Sequence, residues 1–169
     1  MSDFNINAET IVRNTKESMT LSESADKIVN FINEDPDKYY EIAIGADSMT
    51  YSNTIFTLAI TVHRLHSGGI FFYKRMEHKA VKNLRLKLEE ETQISLDTTD
   101  VVLTLLKERG LDITTSDKIS FAVHVDVGRN GPTKELIQEL EGWVTALGYD
   151  CEIKPDSYAA SYIADKYSK

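Results

Sequence analysis

Only one cysteine, three prolines and one tryptophan occur in 169 residues. With Cys151 alone, no intramolecular disulfide and no cysteine-rich zinc site can form. No apolar run approaches the ~18 residues that cross a bilayer. Met1-Ser2-Asp3-Phe4-Asn5 has no basic segment leading into an apolar one, so no secretory leader is read and the cytosol is the expected compartment. Internal repeats, low-complexity tracts and linkers are also missing, and one domain is expected over residues 21–169. An excess of positive charge is missing too. The net charge is −8, which weighs against a protein that binds by blanketing phosphates with cations.

The chain is 41% hydrophobic and 27% charged, ordinary for a soluble fold. Its charge is uneven. Residues 74–87 hold Lys74, Arg75, Lys79, Lys82, Arg85 and Lys87 against Glu77 alone. An acidic body with one basic segment can still hold a polyanion locally, above all where carboxylates bind metal ions.

Residues 1–20 show little periodicity and read as a surface arm or short helix. Thr20-Leu21-Ser22-Glu23 fits a capping box, and Ala25, Ile28, Val29 and Ile32 follow at helical spacing. Pro36 ends that helix. Residues 39–47, 54–65 and 70–76 read as strands joined by short connections, the second joined to the third by Ser67-Gly68-Gly69, which predicts an antiparallel meander. Residues 81–109 are helical in period, with a break expected near 97–100 and Gly110 as a cap. A fourth strand over 119–127, a helix opened by Gly131-Pro132-Thr133, a fifth strand over 151–154 and a last helix after Pro155 complete the chain. Strands separated by helices favour parallel crossovers. The expected fold is α/β: a five-stranded mixed sheet, three antiparallel strands then two parallel ones, flanked by helices.

Four carboxylates fall at one edge of this fold. Alternation sets Ala43, Gly45 and Asp47 on one face of the first strand, and Ala122, His124 and Asp126 on one face of the fourth. If those strands are parallel neighbours, Asp47 and Asp126 lie side by side at their C-terminal ends, where open α/β sheets place ligands. Two such anions call for a proton or a cation between them. At 100° per residue, Leu84, Leu88, Glu91, Ser95 and Val102 fall within an arc of about 60°, so Glu91 sits in an apolar stripe. A lone buried carboxylate is costly unless paired or metal-bound. Asp156 opens the last helix beside the fifth strand. Plainer readings stand beside these. Asp47 and Asp126 also suit strand ends, Glu91 also suits a pair with Lys87 or Arg85, and Asp156 also suits a helix cap. His124 also suits a core histidine, and residues 74–87 also suit a solvated junction.

The segments Ile44-Gly45-Ala46-Asp47-Ser48, Asn83-Leu84 with Glu91-Thr92, His124-Val125-Asp126-Val127-Gly128, and Ile153-Lys154-Pro155-Asp156-Ser157-Tyr158-Ala159-Ala160-Ser161 carry a family likeness. Over residues 21–169 the chain resembles the ribonuclease H-like superfamily, and within it the YkuK-like family of bacterial proteins. The resemblance implies a two-metal nuclease site with Asp47, Glu91, Asp126 and Asp156 holding Mg²⁺ or Mn²⁺. His124 would orient a water or move a proton. Lys74, Arg75, Lys79, Lys82, Arg85 and Lys87 would grip RNA, DNA or an RNA–DNA hybrid. The rival reading is a non-catalytic module on the same fold that binds nucleic acid or a protein partner. ATP handling is disfavoured, because only Gly128 and Gly131 lie near the fourth strand. The oligomeric state is left open, a homodimer through an exposed strand edge being one outcome.

Overall fold

A computed structural model describes residues 4–126 and 136–153. The chain runs β1 (Ile11–Arg13), β2 (Ser18–Thr20), α1 (Leu21–Glu34), β3 (Tyr40–Thr50), β4 (Asn53–Arg64), β5 (Gly69–Lys79), α2 (Leu84–Glu108), β6 (Ile119–His124), α3 (Ile137–Ala146) and β7 (Asp150–Glu152). One sheet takes the order β2-β1-β5-β4-β3-β6-β7. The β3–β4–β5 meander is antiparallel, and β6 and β7 add in parallel beside β3.

The sequence predicts five strands, and the sheet has seven among the described residues. The two extra strands come from the expected arm. Each is three residues long, too short to display a period of two. Asn14 Oδ1 accepts from the Lys16 and Glu17 N–H groups and turns the chain between them. Val12 and Met19 are buried in the main core, and Arg13 pairs with Tyr73. The outer edge of the meander is therefore covered by β1 of the same chain.

α1 starts at the predicted capping box. Thr20 Oγ1 accepts from the Glu23 N–H at 3.0 Å, and Glu23 Oε1 accepts from the Thr20 N–H at 3.0 Å. α2 is one unbroken helix of 25 residues, without the break expected near 97–100. That expectation rested on Asp97, Thr98, Thr99 and Asp100, which are weak helix formers. Here Thr98 and Thr99 are buried and return their hydroxyls to the carbonyls of Ile94 and Ser95. Gln93 Nε2 donates to Asp97 Oδ1. Burial of a whole helix face outweighs local propensity. Gly110, at φ +84°, takes the left-handed conformation just past the helix end that favours glycine.

Alternation along β3 divides its residues. Ile42, Ile44 and Ala46, facing Val62, Ile60 and Leu58 on β4, enter the core with Leu21, Ala25 and Ile28 of α1 and Ile94, Val102 and Leu106 of α2. A second cluster joins Leu88 and Leu96 of α2 to Val123 of β6 and to Ile137, Leu140 and Val144 of α3. α2 spans both clusters, and this holds it across the sheet.

Candidate metal centre

β6 pairs with β3 only as far as His124 opposite Gly45, while β3 continues to Thr50. The flank of β3 beside Asp47 is thus not paired to β6. Continuing the same register sets Asp126 alongside Asp47. The residue before it is held in place, because the Val125 N–H donates to the Glu152 carbonyl at 2.9 Å.

α2 brings the third acid. Leu88, Glu91, Ser95 and Val102 are all buried, as the stripe predicts. Leu84 departs from it at 42% exposed, since it is the first helical residue and lies clear of the core. Glu91 is only 5% exposed. One carboxylate oxygen from each of Asp47, Glu91 and Asp126 lies within 4.8 Å of the others.

The surroundings of Glu91 explain what such a site requires. Ser48 Oγ donates to Glu91 Oε2 at 2.6 Å, and the Ser48 N–H donates to Asp47 Oδ1 at 2.8 Å. Glu91 Oε1 is buried with no hydrogen-bond partner. Burial first, and the negative charges of Asp47 and then Asp126, hold the Glu91 carboxyl well above the usual carboxylate range. The Ser48 hydrogen bond, a larger effect than Asp126, and Lys87, the smallest, pull the other way. A buried acceptor without a donor, beside two more carboxylates, is the environment that a hard divalent cation satisfies with oxygen ligands. The residues present fit a hard divalent cation.

The remaining predicted residues are dispersed. His124 is 4% exposed, at the end of β6 on the face that carries Gly45 and Asp47. Asp156 lies outside the described residues. The six cations do not form one patch. Lys74 and Arg75 project to opposite faces of β5, and Lys74 Nζ donates to the Ile11 carbonyl at 3.1 Å. Arg75, Lys79 and Lys82 are exposed, and Lys87 is half-buried near Glu91. Arg85 is bound by Glu139 of α3 and by Glu89. Glu139 holds the guanidinium firmly charged, and Arg85 lowers the Glu139 pKa in return.

Ser48 is the residue that sequence reasoning gave no role. Its signal was its place directly after Asp47, which turns its hydroxyl to the helix-covered face when the acid turns away. Cys151 is not a nucleophile candidate, because burial, aided by Glu141 and Glu152, pushes its thiol up to about 12. No helix among the described residues is long and apolar enough to cross a membrane.

The Ribonuclease H-like family profile matches residues 23–169. The chain is 34% identical over 165 residues to "Uncharacterized protein YkuK" of Bacillus subtilis (strain 168), covering 89% of this chain and 92% of that one. The chain belongs to the YkuK-like ribonuclease H-like family. β1 and β2 lie outside the matched residues, so the ribonuclease H-like region begins within α1 and takes in the meander, α2 and the two parallel strands. The acids of this ribonuclease H-like protein come from the first strand of that region, from its long helix and from just past its fourth strand. No solved structure matches the chain.

Proposed function

We propose that this protein is a divalent-metal-dependent nuclease that hydrolyses phosphodiester bonds in RNA or DNA. The observation that carries the reading is the meeting of Asp47, Glu91 and Asp126 around a buried, unpartnered Glu91 oxygen. Two Mg²⁺ or Mn²⁺ ions would activate a water and stabilise the leaving oxygen. Asp47, Glu91, Asp126 and Asp156 would hold the ions. No side-chain nucleophile is then required. Ser48 keeps the Glu91 carboxylate turned toward the aspartates. His124 would move a proton or orient the water from the same face as Asp47. Arg75, Lys79 and Lys82 would meet the backbone of the bound strand.

A second reading is favoured by the engagement of Arg85 with Glu139 and of Lys74 with the Ile11 carbonyl. With two of the six cations so engaged and a net charge of −8, the same fold suits a non-catalytic module for nucleic acid or a protein partner.

The test is a cleavage assay with Mg²⁺ or Mn²⁺ on labelled single-stranded RNA, single-stranded DNA, both duplexes and an RNA–DNA hybrid. Metal-dependent cutting by the wild type should fall roughly 100-fold or more in Asp47→Asn and Glu91→Gln, with folding retained. Cutting undiminished in both variants rejects the nuclease assignment of these acids. No cutting on any substrate favours the binding module.

A further inference from the structure

Buried hydroxyls in this chain find partners. Ser24 donates to the Leu21 carbonyl, and Thr92, Ser95, Thr98 and Thr99 each donate one turn back along α2. Thr54 bonds to Thr50 and accepts from the Val81 N–H. Ser48 donates to Glu91, and Thr61 to the Ala43 carbonyl. Among the described residues, Thr57 breaks the pattern. Its side chain is fully buried and its Oγ1 has no hydrogen-bond partner. Such a group bears a desolvation penalty with nothing in return, and its presence calls for a reason.

Position supplies one. Thr57 on β4 is the direct cross-strand partner of Asp47 on β3. Directly opposed residues of an antiparallel pair share a face, with Cβ atoms about 4.5–5.5 Å apart. The unmatched hydroxyl therefore stands next to an acid of the metal centre. Thr61 lies four residues along the same face and has its carbonyl partner at 3.4 Å, so the strand does not in general forbid satisfaction. The chemistry of the pair is directional. An ionised carboxylate only accepts, and the threonine hydroxyl can donate.

We propose that Thr57 is a positioning residue of the metal centre. Its hydroxyl donates to the Asp47 carboxylate when a divalent cation draws that carboxylate into coordination, and it fixes Asp47 in the ligating orientation. Residues that hydrogen-bond a metal's ligands orient them in this way. The inference rests on the metal-centre reading above and adds a residue on the strand opposite. It gives the buried hydroxyl opposite roles in two states, a liability without metal and an asset with it.

The test titrates Mn²⁺ into the full chain by calorimetry and follows thermal melting with and without Mn²⁺. Thr57→Val keeps the volume and removes the hydroxyl, while Thr57→Ser keeps the hydroxyl. The valine variant should melt no lower than wild type without metal, yet bind Mn²⁺ about tenfold more weakly or worse, and serine should restore affinity to within about threefold. Should valine fail to fold, Thr57→Ala against Thr57→Ser makes the same comparison. Equal Mn²⁺ affinity in wild type and Thr57→Val overturns the role of Thr57 and leaves the metal centre standing. Serine as weak as valine also overturns it, because a retained hydroxyl would then fail to restore binding. A wild type that takes up no Mn²⁺ overturns the metal centre and this role together.

Discussion

Between residues 102 and 106 the buried face of α2 is Val102, Leu105 and Leu106, in one cluster with Leu21, Ala25 and Ile28 of α1. Between residues 88 and 95 the buried residues are Leu88, Glu91, Thr92, Ile94 and Ser95, of which Glu91 alone is a charged type. One half obeys the pattern of an amphipathic helix and serves stability alone. The other breaks it at one position, and the break points at Asp47 and Asp126. A carboxylate on a buried stripe lowers stability unless something outside the helix compensates. The contrast within a single helix is therefore a better guide to the site than any acid considered alone, since rule-breaking positions concentrate where function requires them.

The sharpest way to break the comparison is to exchange the effects of its two halves. Glu91→Gln should abolish metal-dependent cleavage, as described above, while leaving the metal-free protein as stable as wild type or more so at neutral pH. Leu106→Ala should do the reverse. It removes a fully buried side chain and should cost about 2–5 kcal/mol of stability in denaturant unfolding. Its cleavage rate and Mn²⁺ affinity per folded molecule should not change. A Leu106→Ala protein with normal stability but weakened metal binding would erase the distinction between the halves.

A smaller effect follows from pH. The Glu91 carboxyl has its pKa raised in the fold by burial and by Asp47 and Asp126, against the weaker pull of Ser48 and Lys87. The folded state therefore holds a proton that the unfolded state has released. Stability of the metal-free protein should fall as pH rises from the ordinary glutamate range toward the raised value, by at most about 1.4 kcal/mol per pH unit for this one group. Mn²⁺ needs the ionised form, so its stabilising effect should grow over the same range. Melting curves at several pH values, with Mn²⁺ and with chelator, read both slopes. Glu91→Gln should flatten the chelator series relative to wild type. An unchanged slope in that variant would show that Glu91 is not the group that titrates.

Much of this was legible beforehand. The meander, the parallel addition of β6 and β7, the capping box at Thr20 and the burial of Glu91 all follow from period, turn chemistry and helix geometry. Asp47 and Asp126 stood out because each ends one face of its expected strand, after Ala43 and Gly45 in β3 and after Ala122 and His124 in β6. β1 and β2 were missed because three residues cannot show alternation, and their pairing depends on an edge supplied by β5 far along the chain. The continuity of α2 through Thr98 and Thr99 was missed because tertiary burial overrode a local preference. Ser48 and Thr57 were invisible for a related reason. Their importance comes from what stands opposite them, Glu91 across the helix contact and Asp47 across the strand pair, and a linear sequence does not display such partners.

The smallest expected effect concerns the outer end of α2, where Arg85 meets Glu139. Both side chains are about half exposed or more, so the pair itself should contribute little to stability. Its consequence lies in charge. While Glu139 neutralises Arg85, the basic segment presents less positive charge than its composition suggests. Glu139→Gln should release Arg85 and raise affinity for nucleic acid modestly, with the salt dependence of binding steepening by about one phosphate contact. Arg85→Ala in the wild-type background should change affinity less than Lys82→Ala does, because Arg85 is already paired with Glu139 and Glu89. Binding isotherms on a labelled strand at several salt concentrations measure all three. If Glu139→Gln leaves both affinity and salt slope unchanged, Arg85 does not face a bound strand, and the proposed contacts narrow to Arg75, Lys79 and Lys82.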